Sequence, residues 1–377
     1  MNILDFFDGD ITSTIQRALD SGQPELFIPA GTYTVSRPLK IRSNTALTLG
    51  DGAHLIAGDG TLANRGDFLL TNANIETGDE NITVTGGMWD GNFSANPKSE
   101  MYDENGYSGA LMNFVNVRGL TLRGLRLHNS SGYFTRFARL DGFLIEDISF
   151  SHDTNIANND GVHLGGCCEN GVIRRIRCLT KGTTRDDLIA LNADDCITRT
   201  ENRGLPRGPI RNILVEDVRA ELCHCLVRLL SVTAEISDIT IRDIGGGCRS
   251  NAVNMDAARY CRAPLIPLDD PTFVGGAGNI RNVTIEGMTA SQAGGSPLIC
   301  AETNATGFVM RNFTRVPGRD VSCADATQTI LLRNISPSRI QLKGLSDGSP
   351  DIEMTTAHGD VFTLPAGGFD YFSIDTV

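Results

Sequence analysis

Positive charge is scarce in this chain. Its 377 residues carry 33 Lys and Arg against 45 Asp and Glu, a formal net charge of −12. That balance argues against a nucleic acid or an anionic membrane surface as the main partner. It leaves room for a small acidic substrate held by a local arginine cluster. Long apolar runs are missing too: no stretch approaches the roughly 18 residues of a membrane-spanning helix. The opening MNILDFFDGDITSTIQRALDSG has no basic start, no apolar stretch and no small-residue cleavage site of a secretory leader. A cytoplasmic protein is therefore expected. Ten cysteines are present, yet no CxxC pair occurs. In a reducing compartment most are expected to be free, buried thiols. Cys223-His224-Cys225 looks like a metal fragment, but residues i and i+2 of a strand share a face and the His takes the other. No second ligand cluster of the usual spacing follows, so neither a metal nor a cofactor is expected.

Tryptophan occurs once, at Trp89, while glycine occurs 41 times. Many glycines among Val, Ile, Leu and Thr indicate many short strands and turns. The strongest signal is internal repetition. A four-residue unit, apolar-x-x-apolar, recurs as Leu122-Leu125, Ile145-Ile148, Ile173-Ile176, Val215-Val218, Ile241-Ile244, Ile285-Met288 and Met310-Phe313. Its first members lie 23, 28, 42, 26, 44 and 25 residues apart. The two long intervals are one turn plus an inserted loop, at 199–209 and 263–278.

Each repeat carries a second strand. Aligned, these read ALMNFV from 110, YFTRFA from 133, GVHLGG from 161, LIALNA from 188, LVRLLS from 226, AVNMDA from 252 and PLICAE from 297. Their second and fourth letters are mostly apolar, the alternation of a half-buried strand. One such turn cannot bury its apolar face alone, but stacked turns can. The fold expected is all-β, a parallel β-helix forming one domain over residues 1–377. Ile11, Ile15 and Leu19 stand at helical spacing before Gly22. They predict an amphipathic helix within residues 1–22 that caps the N-terminal end. Residues 343–377 lose the repeat and are expected to form strands capping the other end.

In such a fold one position of successive turns forms a column, with strands about 4.8 Å apart. The position before the second strand reads Asp160, Asp187, Cys225, Asn251, and the one before it Asn159, Asp186, His224, Ser250. The third strand position reads Met112, Thr135, His163, Ala190, Arg228, Asn254. The fifth reads Phe114, Phe137, Gly165, Asn192, Leu230, Asp256. Three carboxylates therefore share a patch with His224, His163, Arg228, Asn192, Asn254 and Asp256, which are expected to bind substrate. Close carboxylates raise at least one pKa among them. A carboxyl that keeps its proton can act as general acid while ionised neighbours activate water. Two carboxyl groups flanking a glycosidic bond are what its hydrolysis needs. The plainer reading is a solvated run of turn aspartates. Asp194-Asp195 suits a turn better than a ligand site.

Asn158-Asn159-Asp160-Gly161-Val162, Asp186-Asp187-Leu188-Ile189-Ala190 and His224 resemble the motif series of glycoside hydrolase family 28, the polygalacturonases. That family carries Asn-Thr-Asp, Asp-Asp and Gly-His-Gly segments on consecutive turns of a right-handed parallel β-helix. The resemblance covers residues 110–260 in motif and the whole chain in architecture. It implies Asp186 as the acid protonating the leaving oxygen, with Asp160 and Asp187 holding and activating the attacking water. His224 would tune the acid or bind substrate. The outcome would be inversion, without metal or covalent intermediate. Two departures bear on substrate. Gly-His-Gly is here Cys223-His224-Cys225, and the family's Arg-Ile-Lys, which grips a uronate, aligns with Asn254-Met255-Asp256. Arg228 is the nearest compensating cation, with Arg136, Arg139 and Arg185 as further basic neighbours. A neutral sugar, or an acid placed differently, is expected in an oligo- or polysaccharide substrate. Inserts at 90–108, 196–210 and 259–278 would close a groove into a pocket and favour exo action. A polysaccharide lyase, or a non-catalytic carbohydrate-binding or tail-spike-like protein, is the alternative.

Overall fold

The computed structural model describes residues 1–62, 66–97, 110–154, 156–194, 205–255 and 278–300 apart from 292–295 and 297. Of residue 256, residue 292 and the strands beyond 300 it describes the backbone only. The chain winds into a right-handed parallel β-helix. One 25-stranded sheet runs the length of the coil, and its pairings are parallel except at the C-terminal end. The repeat read from the sequence is one of its ladders. Leu122, Ile145, Ile173, Val215, Ile241, Ile285 and Met310 pair in succession. The described side chains of that ladder are buried.

Helix α1 (Ile11–Asp20) is the only α-helix among the described residues. Asp10 caps it by accepting the Ser13 N–H at 2.8 Å. Ile15, Ala18 and Leu19 face the end of the coil and are fully or almost fully buried. None of the described helices is long and apolar enough to cross a membrane. At the other end, Arg339–Leu342 pairs antiparallel with Phe372–Asp375, and Ile352–Thr356 with Val361–Leu364. The N-terminal helix thus forms where expected. Of the inserts at 90–108, 196–210 and 259–278, residues 98–108, 196–204 and 259–277 lie outside the described residues.

A second column explains how each turn bends. Asn81, Gly119, Gly142, Asn170, Asn212, Asp238 and Asn282 each stand three residues before a ladder member, and all have positive φ, from 54 to 74°. Asn and Asp tolerate this left-handed region better than other side-chain-bearing residues. Their amides also stack: Asn212 donates to Asn170 Oδ1 at 2.8 Å and Asn282 to Asp238 Oδ1 at 3.0 Å. The corner therefore recurs at one sequence position, and the ladders on either side stay in step.

Seven described cysteines are free, and Cys168, Cys178, Cys223, Cys225 and Cys248 are buried. Burial pushes the Cys168 thiol up to about 12 and that of Cys178 to about 11. Cys196, Cys261 and Cys323 lie outside the described residues.

The corner column can be tested at an exposed site. Asn212→Val puts a β-branched residue at φ 54° and removes the amide contact to Asn170. It is expected to lower unfolding free energy by about 1–2 kcal/mol. Asn212→Gly should cost less, because glycine takes this backbone without strain. Urea denaturation of the three proteins checks the order; equal losses would deny the corner its role.

Candidate active site

The second strands of successive turns form the functional face. Val162–Leu164 pairs with Asp187–Asn192, which pairs with Cys225–Leu230, which pairs with Val253–Asp256. Val162, Ile189, Val227 and Val253 form one buried inward column, and Leu164, Leu191, Leu229 and Met255 the next. Between them His163, Ala190, Arg228 and Asn254 form the expected outward column.

The register differs from the sequence alignment at both ends of this face. Phe137 pairs with Leu164, one residue away from the expected Gly165. Val253 pairs with Ile299, where Leu298 was expected. Aromatic residues stand at both parities of YFTRFA, and Phe134 and Phe137 are both buried, so apolar alternation could not fix the frame. The corrected column begins Thr71, Asn113, Arg136 and continues into His163. Arg136, named only as a basic neighbour, thus stands beside the site. Its Nη1 donates to Asn113 Oδ1 at 2.9 Å, and its guanidinium lies 5.7 Å from the Phe68 ring centroid.

The acids arrive by two local devices. Asp160 ends the loop before its strand, and its carbonyl accepts the Phe134 N–H at 2.8 Å. The next residue, Gly161, donates to Asp187 O at 2.9 Å. A Cβ at Gly161 would meet Leu188 O at 2.5 Å, so the close approach of these two strands requires glycine. One turn on, Asn159 Oδ1 accepts the Arg185 N–H at 2.8 Å and fixes the segment that carries Asp186 and Asp187.

Each of the three carboxylates meets a group that is, or can become, positive. His163 Nδ1 lies 2.5 Å from Asp160 Oδ2. Arg228 Nη1 lies 3.5 Å from Asp187 Oδ2. His224 Nδ1 lies 3.7 Å from Asp186 Oδ1. The first two pairs are nearly sealed, no side chain being more than 3% exposed. The third opens outward, with Asp186 18% and His224 40% exposed. Asp160 and Asp187 thus form a floor, while Asp186 and His224 face solvent above it.

Cys223 and Cys225 point inward, as the strand geometry predicts for neighbours of an outward His224. Their sulfurs lie 3.6 Å from Gly247 O and 3.2 Å from Val227 O. Burial pushes both thiols well above their ordinary range. Ligand atoms of Asp186, Asp187 and His224 lie within 4.8 Å of one another. A cation fits that set poorly, because the Arg228 guanidinium already stands against Asp187. Asp194 is a structural group. Its carboxylate accepts the N–H groups of Val232, Thr233 and Ala234 and the Thr233 hydroxyl, at 2.5–2.9 Å, which favours the turn reading. Asn192 and Asn254 lie on the same face and are buried. Asp256 continues the Asn192 column in backbone register, and its side chain lies outside the described residues.

No family model matches this chain. The preneck appendage protein of Bacillus phage PZA is 36% identical over 83 residues, 22% of this chain. The chain spans about a tenth of the length of the curated relatives it matches. Among solved structures, PfbA, a surface adhesin of Streptococcus pneumoniae, superposes with a TM-score of 0.65 at 12% identity. It covers 100% of this chain and 98% of its own. A hyperthermoactive exopolygalacturonase from Thermotoga maritima superposes with a TM-score of 0.58 at 14% identity, covering 100% and 94%. These likenesses show the fold. They place the chain among parallel β-helix proteins that include polysaccharide-active enzymes and adhesins.

The Asp187–Arg228 contact carries a stability prediction. Removing one partner of a buried ion pair strands the other charge, at about 3–5 kcal/mol. Arg228→Ala should therefore melt well below the wild type, and Arg228→Ala with Asp187→Asn should recover part of that loss. A double-mutant cycle by thermal denaturation measures the coupling; additive losses would mean the two groups stand independently.

Proposed function

We propose that the chain is a glycoside hydrolase that cleaves an oligo- or polysaccharide with inversion of the anomeric centre. The observation carrying this reading is the layered arrangement of the three acids. Asp186 is half-buried beside the exposed His224, and Asp160 and Asp187 are held beneath. In this reading Asp186 donates a proton to the leaving oxygen as the glycosidic bond breaks. A water held by Asp160 and Asp187 attacks the anomeric carbon from the other side and gives up a proton to that pair. Inverting sites usually keep acid and base roughly 6.5–9.5 Å apart; ligand atoms of Asp186 and Asp187 lie within 4.8 Å of each other, so we assign the base to Asp160 and the water's second contact to Asp187. The exopolygalacturonase fold match and the order of the Asp motifs support the assignment.

The sugar's charge is placed differently from a polygalacturonase site. Asn254 stands where a cation would grip a uronate, and Arg228 is engaged by Asp187 with 3% of its side chain exposed. Arg136 stands on the opposite side of the acids, one turn before His163, with Nη1 donating to Asn113 Oδ1 and its guanidinium over the Phe68 ring. We place an acidic group of the substrate there. Arg136→Gln should raise KM for an acidic oligosaccharide roughly tenfold or more, as loss of a charge-assisted hydrogen bond of about 1.5–3 kcal/mol implies. It should leave KM for a neutral one nearly unchanged. Equal effects on both would remove the charge from the argument.

A carbohydrate-binding appendage is the second reading, favoured by the phage appendage match and the adhesin superposition. Asp186→Asn separates the two. It keeps size and hydrogen bonding but removes the proton, so the hydrolase should lose about 10²–10⁴ in kcat. An activated aryl glycoside needs little protonation and should be partly rescued. Asp160→Asn and Asp187→Asn should show no such rescue. NMR of the first-formed product should show the inverted anomer. If Asp186→Asn binds glycans as the wild type does and neither turns any over, the appendage reading holds.

A further inference from the structure

The hydrolase reading leaves His163 without a role, although its ring is fixed from several directions. The side chain is fully buried. Nδ1 lies 2.5 Å from Asp160 Oδ2. The ring stacks on Tyr133 at 4.4 Å between centroids and 14° between planes. The His163 N–H donates to Thr135 Oγ1 at 3.2 Å, and the Thr135 hydroxyl donates to Gly161 O at 2.9 Å. That last pair ties the ring's own strand to the preceding turn immediately after Asp160.

The charged and titratable groups around His163 come from both neighbouring turns. The preceding turn brings Arg136 and the Tyr133 phenol. Its own turn brings Asp160. The following turn pairs Ala190 with it and brings Asp186 and Asp187, and behind them stand Arg228 and His224. Asp160 contacts the ring directly, and Tyr133 stacks on it.

We propose that His163 is a positioning residue that acts through Asp160. Its Nδ1–H holds Oδ2 of the carboxylate, so the other oxygen, Oδ1, is turned to the attacking water. The proposal rests on the hydrolase reading of the site. In the step itself one water proton passes to Asp160 Oδ1 as the water oxygen bonds to the anomeric carbon. The bond to the leaving oxygen breaks, and that oxygen takes the proton of Asp186. His163 keeps its own proton throughout. The hydrogen bond of one ring nitrogen sets which tautomer is present, so the contact with Asp160 fixes the proton on Nδ1. A charge-assisted bond of this kind also favours the ionised carboxylate, the form a base needs. Tyr133 holds the ring plane and thereby the direction of the bond.

Two substitutions and one spectroscopic measurement test this. His163→Phe keeps a ring for Tyr133 and removes the donor. His163→Asn places an amide N–H near the position of Nδ1–H and does not titrate. kcat and KM are measured against pH on a substrate the wild type cleaves. His163→Phe should lower kcat on the order of 10²-fold, as misplacing a reacting group does, with little change in KM. The acidic limb of its kcat profile should move upward by about one pH unit, because the ionised base has lost a donor. His163→Asn should regain most of kcat and return the limb toward its wild-type position. Independently of turnover, ring ¹⁵N shifts should show Nδ1 protonated in the wild type and altered in Asp160→Asn. Equal losses in both His163 variants with an unmoved limb, or ring shifts indifferent to Asp160→Asn, would overturn the proposal while an active wild type leaves the hydrolase reading standing. A wild type that cleaves no glycan takes both down, whatever the ring shifts show.

Discussion

The site depends on every turn bending at the same residue. Side chains of a strand alternate between faces, so a slip of one residue would carry the outward His163 and Arg228 inside and push Val162 and Val227 out. The positive-φ column from Asn81 to Asn282 holds the apolar ladder in step by placing a left-handed residue three positions before each of its members. Only glycine, asparagine and aspartate occupy it, and three of the amides hydrogen-bond to the residue one turn earlier, Asn81 to Asn44, Asn212 to Asn170 and Asn282 to Asp238. The same corner that terminates one sheet face therefore sets where the next begins. Asp160 and Asp187 become neighbours through the pairing of their own strands, Val162 against Ile189.

Stacking acids has an electrostatic consequence that the structure meets in two ways. Structural carboxylates are saturated by donors that stay put. Burial would raise the Asp79 carboxyl, but hydrogen bonds from Asn74, Ser43 and Asn72 outweigh it and hold the group below its ordinary range. Burial opposes Glu146 likewise, and Arg174, Arg123 and Arg175 overcome it. Both pKa values are lowered on folding, so the stability these groups give is present above the ordinary carboxylate range and fades as pH falls through their folded values. The acids of the site are held differently. Two of the three stand against imidazoles and the third against a guanidinium 3.5 Å away.

Much of this was legible in the sequence because a coil repeats its physics. The apolar ladder from Leu122 to Met310 could be read letter by letter, since a buried column tolerates little else. The columns of Asp160, Asp187 and His224 followed from it. The frame failed where Phe134 and Phe137 offered apolar residues at both parities, and again at Leu298 and Ile299, which are adjacent and both buried. Those failures hid the alignment of Arg136 with His163. The corner column was missed although its signal was present: Asn, Gly or Asp three residues before each ladder member. Partnership was beyond the sequence altogether. Spacing put Arg228 and His163 on one surface, but only coordinates show one sealed against Asp187 and the other against Asp160.

Fold does not choose between an adhesin and a hydrolase, since β-helices serve both. Burial does bear on the choice. A surface that only holds sugar can use exposed polar and aromatic side chains and has no need to seal carboxylates. Here Asp160 and Asp187 are each about 3% exposed, and removing ions of that size from water costs several kcal/mol apiece before their partners repay it. Hydrophobic residues would fill the same columns more stably, as Val162, Ile189 and Val227 do beside them. At Asp160 and Asp187 that cost falls beneath Asp186, whose side chain is 18% exposed. An enzyme gains from that localisation, because a base fixed in a dry floor needs little reorganisation when the water attacks. A binding surface gains nothing from it, so the buried pair supports the hydrolase proposed above over the appendage.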